Sequence, residues 1–486
     1  MSHYLAFDLG AESGRAMLGN LSDGRLTVEE LHRFANTPVN ENGAIYWDID
    51  ALWGNIRRGI EIATAGERKT ALSGIGVDTW GVDYGLLGDG DKLLGRPRHY
   101  RDGRTAGMME EVFRIVPREE VFEYTGVQFM QLNTLYQFYA MKSAGDPALA
   151  SAKKMLNIPD LFNFWLTGEA CSEATIASTT QFFNPVQMTW ATELFKRLQL
   201  PGEILRPIIP AGTLIGKMRE APHAQVFATA GHDTASAVAA VPAEASTSWC
   251  YISSGTWSLM GIEAAAPVID KRSLELNFTN EVGVGGKIRL LKNIAGLWLL
   301  QECRREWNRT GAQYSYEQLT QMAAEARAFT AAINPDAFLE PGEMPQKIAT
   351  HCGATGQTLP GTPGECARAI LESLALKYRS VLENLEELGK RRIDVIHIVG
   401  GGSRNAVLNQ FVADCTGRVV IAGPAEATAV GNILVQAMGA GELRTPDDIR
   451  AVVRASFSPV TYEPGPREGW DAAYERYLKV CAKSAM

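Results

Sequence analysis

The chain lacks a long apolar run, a basic charge excess and a cysteine framework. No stretch approaches the roughly 18 apolar residues of a membrane helix. The opening MSHYLAFDLG has neither the basic region nor the apolar core of a secretion signal. Only seven of 486 residues are cysteine, an odd number with no CxxC pair, so reduced thiols in a cytoplasmic protein are expected. A Cys352–Cys366 bridge is a minor alternative to that expectation. The 47 basic residues against 55 acidic ones give a net charge of −8, which makes the chain a poor general binder of nucleic acid or anionic membrane. Any phosphate-bearing ligand must then be held locally, by backbone amides or a metal.

Several motifs are also missing. There is no GxxxxGK[ST] phosphate loop and no GxGxxG between a strand and a helix. There is no GxSxG elbow, no HExxH pair and no cysteine–histidine cluster at zinc spacing. A length of 486 residues is enough for two or three domains with large cores, needing no staples.

What is present is an α/β pattern that occurs twice. Residues 4–9, 15–21 and 26–34 read as a meander of strands separated by turn residues. A helix capped by Asp48 follows, then a short buried strand at 75–78. In the second half, 248–253 and 256–262 form a hairpin, and a long helix is expected over about 363–388. Its start, Thr362-Pro363-Gly364-Glu365, is a capping box. A strand at 394–399 runs into three glycines, and a helix from about Asn405 stops at Gly417. The order β-β-β-α-β in each half points to duplicated domains, 1–244 and 245–486, with a pivot near 242–247. Residues 167–178, 201–210 and 340–363 read as irregular connections.

Four glycine-rich segments follow predicted strands. In the first, residues 8–15, Asp8 ends a strand before a turn of small residues. Successive backbone N–H groups there can face a phosphate, with Ser13 adding a hydroxyl, Arg15 a cation and Asp8 a carboxylate for Mg²⁺. Taken alone, an ordinary hairpin is the simpler reading. In the second, Asp78-Thr79-Trp80-Gly81, Trp80 serves equally as a sugar wall or a core residue. In the third, Gly231-His232-Asp233-Thr234, Asp233 is a helix N-cap or a general base for an attacking alcohol. His232 is a sugar contact or a hydrogen-bonded core residue. The fourth pairs the hairpin turn at 253–258 with Val399-Gly400-Gly401-Gly402-Ser403. Three consecutive glycines are costly to order, which favours close backbone approach to a nucleotide over a purely structural turn.

The motifs DLGAESGR (8–15), DTWGVDYGLL (78–87), YRDGRT (100–105), NIPDLFNFWLTGE (157–169), AGHDTASAVAAVP (230–242), YISSGTWSLMG (251–261), LKNIAGLWLLQE (291–302) and HIVGGGSRN (397–405) stand in one order along nearly the whole chain. Together they resemble the FGGY carbohydrate kinases. The resemblance implies an α/β fold of two related actin- and hexokinase-like (ribonuclease H-like) domains flanking an ATP/sugar cleft. The N-terminal domain would bind mainly sugar and the C-terminal one mainly nucleotide. It implies ATP and Mg²⁺ as cofactors and phosphorylation of L-rhamnulose to L-rhamnulose 1-phosphate. Another ketose or polyol, such as L-fuculose or D-xylulose, is the alternative substrate, and a non-catalytic nucleotide-binding protein of the same fold is a third reading. By the same resemblance Asp233 is the catalytic base and Asp8 the acid near Mg²⁺. Gly81, His232, Asp233, Thr234 and Asn293 match sugar-binding positions. Ala11, Glu12, Ser13, Gly14, Arg15, Thr256, Gln301 and Gly401 match nucleotide-binding positions, with Glu12 contributing its backbone. The partners implied are sugar and ATP, with no nucleic acid and no membrane. Monomer and dimer both remain open.

Overall fold

The strands expected at 4–9, 15–21 and 26–34 appear as Ser2–Leu9, Ser13–Ser22 and Arg25–Ala35 in the computed structural model, which describes residues 1–65, 70–221 and 224–484. They form an antiparallel meander. Asp48 accepts a hydrogen bond from Ala51 N and caps the helix Ile49–Thr64, whose Ile49, Leu52, Ile56 and Ile60 are buried. The chain then returns as Gly74–Thr79, parallel to Ser2–Leu9. Tyr4 to Leu9 and Gly74 to Thr79 are buried throughout, as befits strands covered on both faces. The complete six-stranded sheet runs Thr213–Lys217, Gln225–Ala228, Gly74–Thr79, Ser2–Leu9, Ser13–Ser22, Arg25–Ala35.

The same frame recurs later in the chain. Trp249–Ser254 and Trp257–Ala264 form the expected hairpin, and Ile288–Ala295 is the third strand. The helix Pro363–Gly389 carries the predicted capping box at Thr362 and Glu365. Val395–Val399 then pairs parallel with Trp249–Ser254. The seven-stranded sheet runs Thr279–Val282, Ile288–Ala295, Trp257–Ala264, Trp249–Ser254, Val395–Val399, Val419–Ala422, Val460–Tyr462. The helix Ala406–Thr416 ends at Gly417, which adopts φ +63° as its C-terminal cap.

Two compact units result. One comprises Met1–Pro242, Glu263–Leu290 and Ala427–Phe457, the other Ala243–Ile262, Leu291–Glu426 and Ser458–Met486. The chain first crosses between them at Pro242/Ala243, and Glu263–Leu290 and Ala427–Phe457 return to the first unit. Packing accounts for the later return to the first unit: the helix Ala427–Gly439 lies so close to the helix Asp233–Ala239 that a Cβ at Gly431 would sit 1.8 Å from Ser236 O.

Residues 340–363 are not wholly irregular. Met344–Ala354 is a helix, unannounced in sequence because its N-cap residue, Glu343, takes a left-handed φ of 48° and caps nothing with its side chain. Within 167–178, Ala174–Ala177 makes one helical turn capped by Glu173, and Ser172–Glu173 pairs with Ile208–Ile209. All seven cysteines are free thiols. The expected reduced state is what the fold shows, and Cys352 and Cys366 are not bridged; the Cys303 sulfur lies 4.0 Å from that of Cys366. No helix among the described residues is long and apolar enough to cross a membrane.

Candidate active site

In the first unit, strand register collects the acidic residues. Asp8 lies opposite Arg15 in the antiparallel ladder and beside Asp78 in the parallel one. Arg15 Nη2 donates to Asp8 Oδ2 at 2.5 Å, so the cation expected for phosphate is engaged with the acid expected near metal. Asp78 is fully buried. Its Oδ2 accepts from Asn432 Nδ2 at 2.5 Å, and its Oδ1 has no hydrogen-bond partner. Burial, reinforced by the charge of Asp8 and then of Asp233, pushes the Asp78 carboxyl well above the usual range, against the pull of the Asn432 bond. The strand Gly74–Thr79 also carries the third acidic motif: Thr79 N donates to Gly231 O at 2.9 Å, and Thr79 bridges His232.

The turn after Asp8 is held by Gly10 N on Ser13 O at 2.9 Å and by Asn36 Nδ2 on Gly10 O at 2.9 Å. Ala11 is half-buried and Glu12 is exposed there. Gly14 is glycine for packing, since a Cβ would meet the Phe34 ring at 2.3 Å.

His232 precedes the helix Asp233–Ala239, so Asp233 is its first residue and not its cap. Asp233 Oδ1 accepts from Thr234 N at 2.5 Å and from Thr234 Oγ1 at 3.2 Å, and lies 3.4 Å from His232 Nε2. Among the described residues no donor reaches Oδ2. The side chain is 30% exposed. Burial raises its pKa, opposed by the charge of His232 and the Thr234 bonds, so the group is a stronger base than an ordinary aspartate. Gly231 is pinned by a second acid: Glu173 Oε2 accepts from Gly231 N at 2.9 Å and from Thr175 Oγ1 at 2.6 Å. Gly81 follows the same strand as Asp78, and a Cβ there would touch Thr179 at 3.2 Å. Trp80 takes the core reading: it is 5% exposed, its ring lies 3.9 Å from that of Trp47, and its Nε1 donates to buried Asp83 at 3.0 Å.

In the second unit, three of the expected nucleotide residues gather at one hairpin tip. Leu297 N donates to Gly255 O and Trp298 N to Thr256 O, which seats the helix Trp298–Arg309 against the turn. Gln301 lies in that helix's first turn, with Oε1 buried and unpartnered. On the other side Gly400 and Gly402 press on Ser254. Gly400 has φ +83°, and a Cβ at Gly402 would be 2.0 Å from Ser254 Oγ. Gly401 between them has nothing within 4 Å of an added Cβ. Asn293 lies on the strand Ile288–Ala295 of the same unit, whereas Gly81, His232, Asp233 and Thr234 belong to the first.

Sequence reasoning singled out the Asp78 motif without giving its carboxylate a role, and it missed Glu173, Glu281, Arg289 and Asn432. Asp78 was legible in principle as a second acid ending a buried strand, like Asp8. Asn432 is 354 residues from its partner, and no local pattern links them.

Of the two related α/β units, one carries a strand-end acid cluster and the other a glycine-bracketed hairpin. The N-terminal domain of the FGGY family of carbohydrate kinases matches residues 3–240, and the C-terminal domain of that family matches residues 250–440. The chain belongs to this family, whose sugar kinases use ATP. It is similar to the rhamnulokinase of Bacteroides thetaiotaomicron, 44% identical over 490 residues covering 99% of each chain. A rhamnulokinase of Bacillus subtilis is 38% identical over 95% of each. Among solved structures, xylulose kinase from Lactobacillus acidophilus shares the fold at a TM-score of 0.82, with 16% identity over 100% of this chain and 99% of that one. Plasmodium falciparum glycerol kinase with ADP does so at 0.76, with 14% identity over 100% and 98%.

Proposed function

We propose that this chain transfers the γ-phosphoryl group of ATP to L-rhamnulose, giving L-rhamnulose 1-phosphate and ADP, in the cytoplasm. The observation that carries the mechanism is the asymmetry of Asp233. One carboxylate oxygen takes the Thr234 donors and faces His232, while the other meets no donor among the described residues. A primary sugar hydroxyl placed at Oδ2 gives up its proton there as its oxygen bonds to phosphorus, and the bond from phosphorus to the bridging oxygen of ADP breaks. The substrate is proposed from the similarity to rhamnulokinases along almost the full length of the chain.

His232 and Thr234 hold Asp233 from either side, and Gly81 and Asn293 are proposed as further sugar contacts. Ala11 to Arg15, Thr256, Gln301 and Gly401 are proposed for ATP. Gln301 Oε1, a buried acceptor without a partner, suits a ligand donor, and the open space over Gly401 suits a ligand lying against the backbone.

No group of three or more metal-ligating side chains exists among the described residues. Mg²⁺ needs no such group, since it keeps most of its water and takes one or two carboxylates with substrate phosphates. The unpartnered Asp78 Oδ1 beside Asp8 fits such a cation, so Asp8 and Asp78 are its proposed holders. When bound it neutralises charge on the phosphates.

The test is ADP release with Mg-ATP and L-rhamnulose, L-fuculose, D-xylulose, glycerol or no sugar. Preference for L-rhamnulose is expected. Preference for another sugar overturns the substrate, and ADP release independent of sugar overturns the kinase reading. In the same assay Asp233→Asn should lower kcat about 10²- to 10⁴-fold, the usual share of a general base, with sugar binding retained. Near-normal turnover would remove Asp233 from that role.

A further inference from the structure

Behind Asp233 lies an ion pair that none of the proposed roles uses. Arg289 has no exposed surface, and Glu281 is 3% exposed. Arg289 Nη2 lies 3.0 Å from Glu281 Oε2 and 3.1 Å from His232 Nδ1, and its Nε donates to Val282 O at 3.1 Å. Nη1 is buried without a partner. Glu281 Oε2 is also 3.3 Å from His232 Nδ1. Both residues sit in the segment Glu263–Leu290 and belong to the unit that carries His232 and Asp233. Burial pushes Glu281 up, but its charged surroundings, the Arg289 guanidinium among them, hold the carboxyl below its usual value, so it is anionic.

A buried ion pair is weak support for stability, since hydrophobic residues of similar volume often serve as well. What this pair does supply is a direction for the imidazole. Guanidinium nitrogens only donate. Nη2 has two hydrogens, so one can point at Glu281 Oε2 while the other is donated to His232 Nδ1. A ring that accepts at Nδ1 carries its proton on Nε2, the nitrogen facing Asp233 Oδ1. If the ring takes a second proton, that proton goes to Nδ1 against Glu281, and Nε2 remains a donor.

We propose that Glu281 and Arg289 are positioning residues for phosphoryl transfer: they hold His232 with its protonated Nε2 facing Asp233 Oδ1, which leaves Oδ2 for the proton of the sugar. The chain of contacts runs Arg289–Glu281, His232, Asp233, and only the last touches the reacting hydroxyl. The inference rests on the reading of Asp233 as the base.

The paired variant Glu281→Met with Arg289→Met tests it, because removing both charges leaves no unpaired buried ion. Turnover, sugar affinity and melting temperature are measured beside Asp233→Asn. The paired variant should bind sugar within about threefold of the native protein and lose about 100-fold in kcat, the cost of a misplaced catalytic group. Native kcat in the paired variant with an inactive Asp233→Asn overturns the positioning role and leaves the base standing. Native turnover in Asp233→Asn overturns both.

A second measurement does not depend on the variant folding. The ¹⁵N spectrum of histidine-labelled native protein, with His232 assigned from His232→Gln among the seven histidines, reads the tautomer directly. A protonated Nε2 near neutral pH supports the proposal. A bare Nε2 with the proton on Nδ1 overturns it.

Discussion

The two units build the same strand frame and load its ends with opposite chemistry. In the first, register sets Asp8 between Arg15 and Asp78. In the second, it sets Ser253 between Leu259 and Val399, and glycines follow. The first frame buries carboxylates, and burial raises the pKa of Asp78 and Asp233. The second holds hydroxyls, an amide and bare backbone around the turn that follows Trp249–Ser254. The proposed proton transfer needs a titratable group, whereas the proposed hold on a nucleotide by backbone needs space and rigid geometry. One topology serves both because strand ends fix positions without dictating side chains.

The comparison breaks most readily at Gly402. If the second frame works by fit, filling its tightest point should damage it most. A Cβ at Gly402 would meet Ser254 Oγ at 2.0 Å and Ser254 Cβ at 2.6 Å. Gly402→Ala should destabilise by about 1–3 kcal/mol, the range for forced overpacking, and weaken ATP binding as the turn shifts. Calorimetric melting and ATP titration check this. An unchanged melting temperature would mean that the glycine is not there for packing.

A charge test sharpens the other side. Asp78 has its pKa raised in the fold, chiefly by burial and next by Asp8. Between its unfolded and its folded pKa the native state therefore holds more protons than the unfolded one, and stability falls as pH rises through that window. Asp83, raised to about 6 by burial against its Trp47, Gln137 and Trp80 bonds, adds a fall in the same direction between about 4 and 6. Asp78→Asn should then melt higher than the native protein at pH 7–8, by at least about 2 °C, with the difference shrinking toward pH 4. It should also lose activity, because a carboxylate proposed for Mg²⁺ is gone. A variant that melts lower at neutral pH would show that Asp78 stabilises the fold, and the contrast between the frames would lose its physical basis.

Local pattern made much of this legible. The meander, the Asp48 and Thr362 caps and the Gly417 stop are short-range signals, and the strands and helices stand where those signals lie. The motif at 231–234 could be read as a unit because its parts are adjacent. What stayed hidden were long-range partners: Asn432 for Asp78, Glu173 for Gly231, and Glu281 with Arg289 for His232. Each reaches its partner through packing of segments far apart in sequence. The helix Met344–Ala354 was hidden for a local reason, the absence of a capping side chain.

The finest distinction lies within the triple glycine. Gly400 has a positive φ and an added Cβ there would sit 3.0 Å from Ser254 O, and Gly402 needs its missing Cβ against Ser254 Oγ. Gly401 has neither constraint, since an added Cβ meets nothing within 4 Å. Packing therefore gives no reason for glycine there, and a ligand approaching the backbone does. Gly401→Val should leave the melting temperature and sugar affinity unchanged and weaken ATP by about tenfold, the scale of a misplaced methyl or two in a binding site. Isothermal titration with ADP, AMP and sugar separates the ligands. If ADP affinity does not move, the open space over Gly401 is solvent, and Thr256 and Gln301 must carry the nucleotide without it.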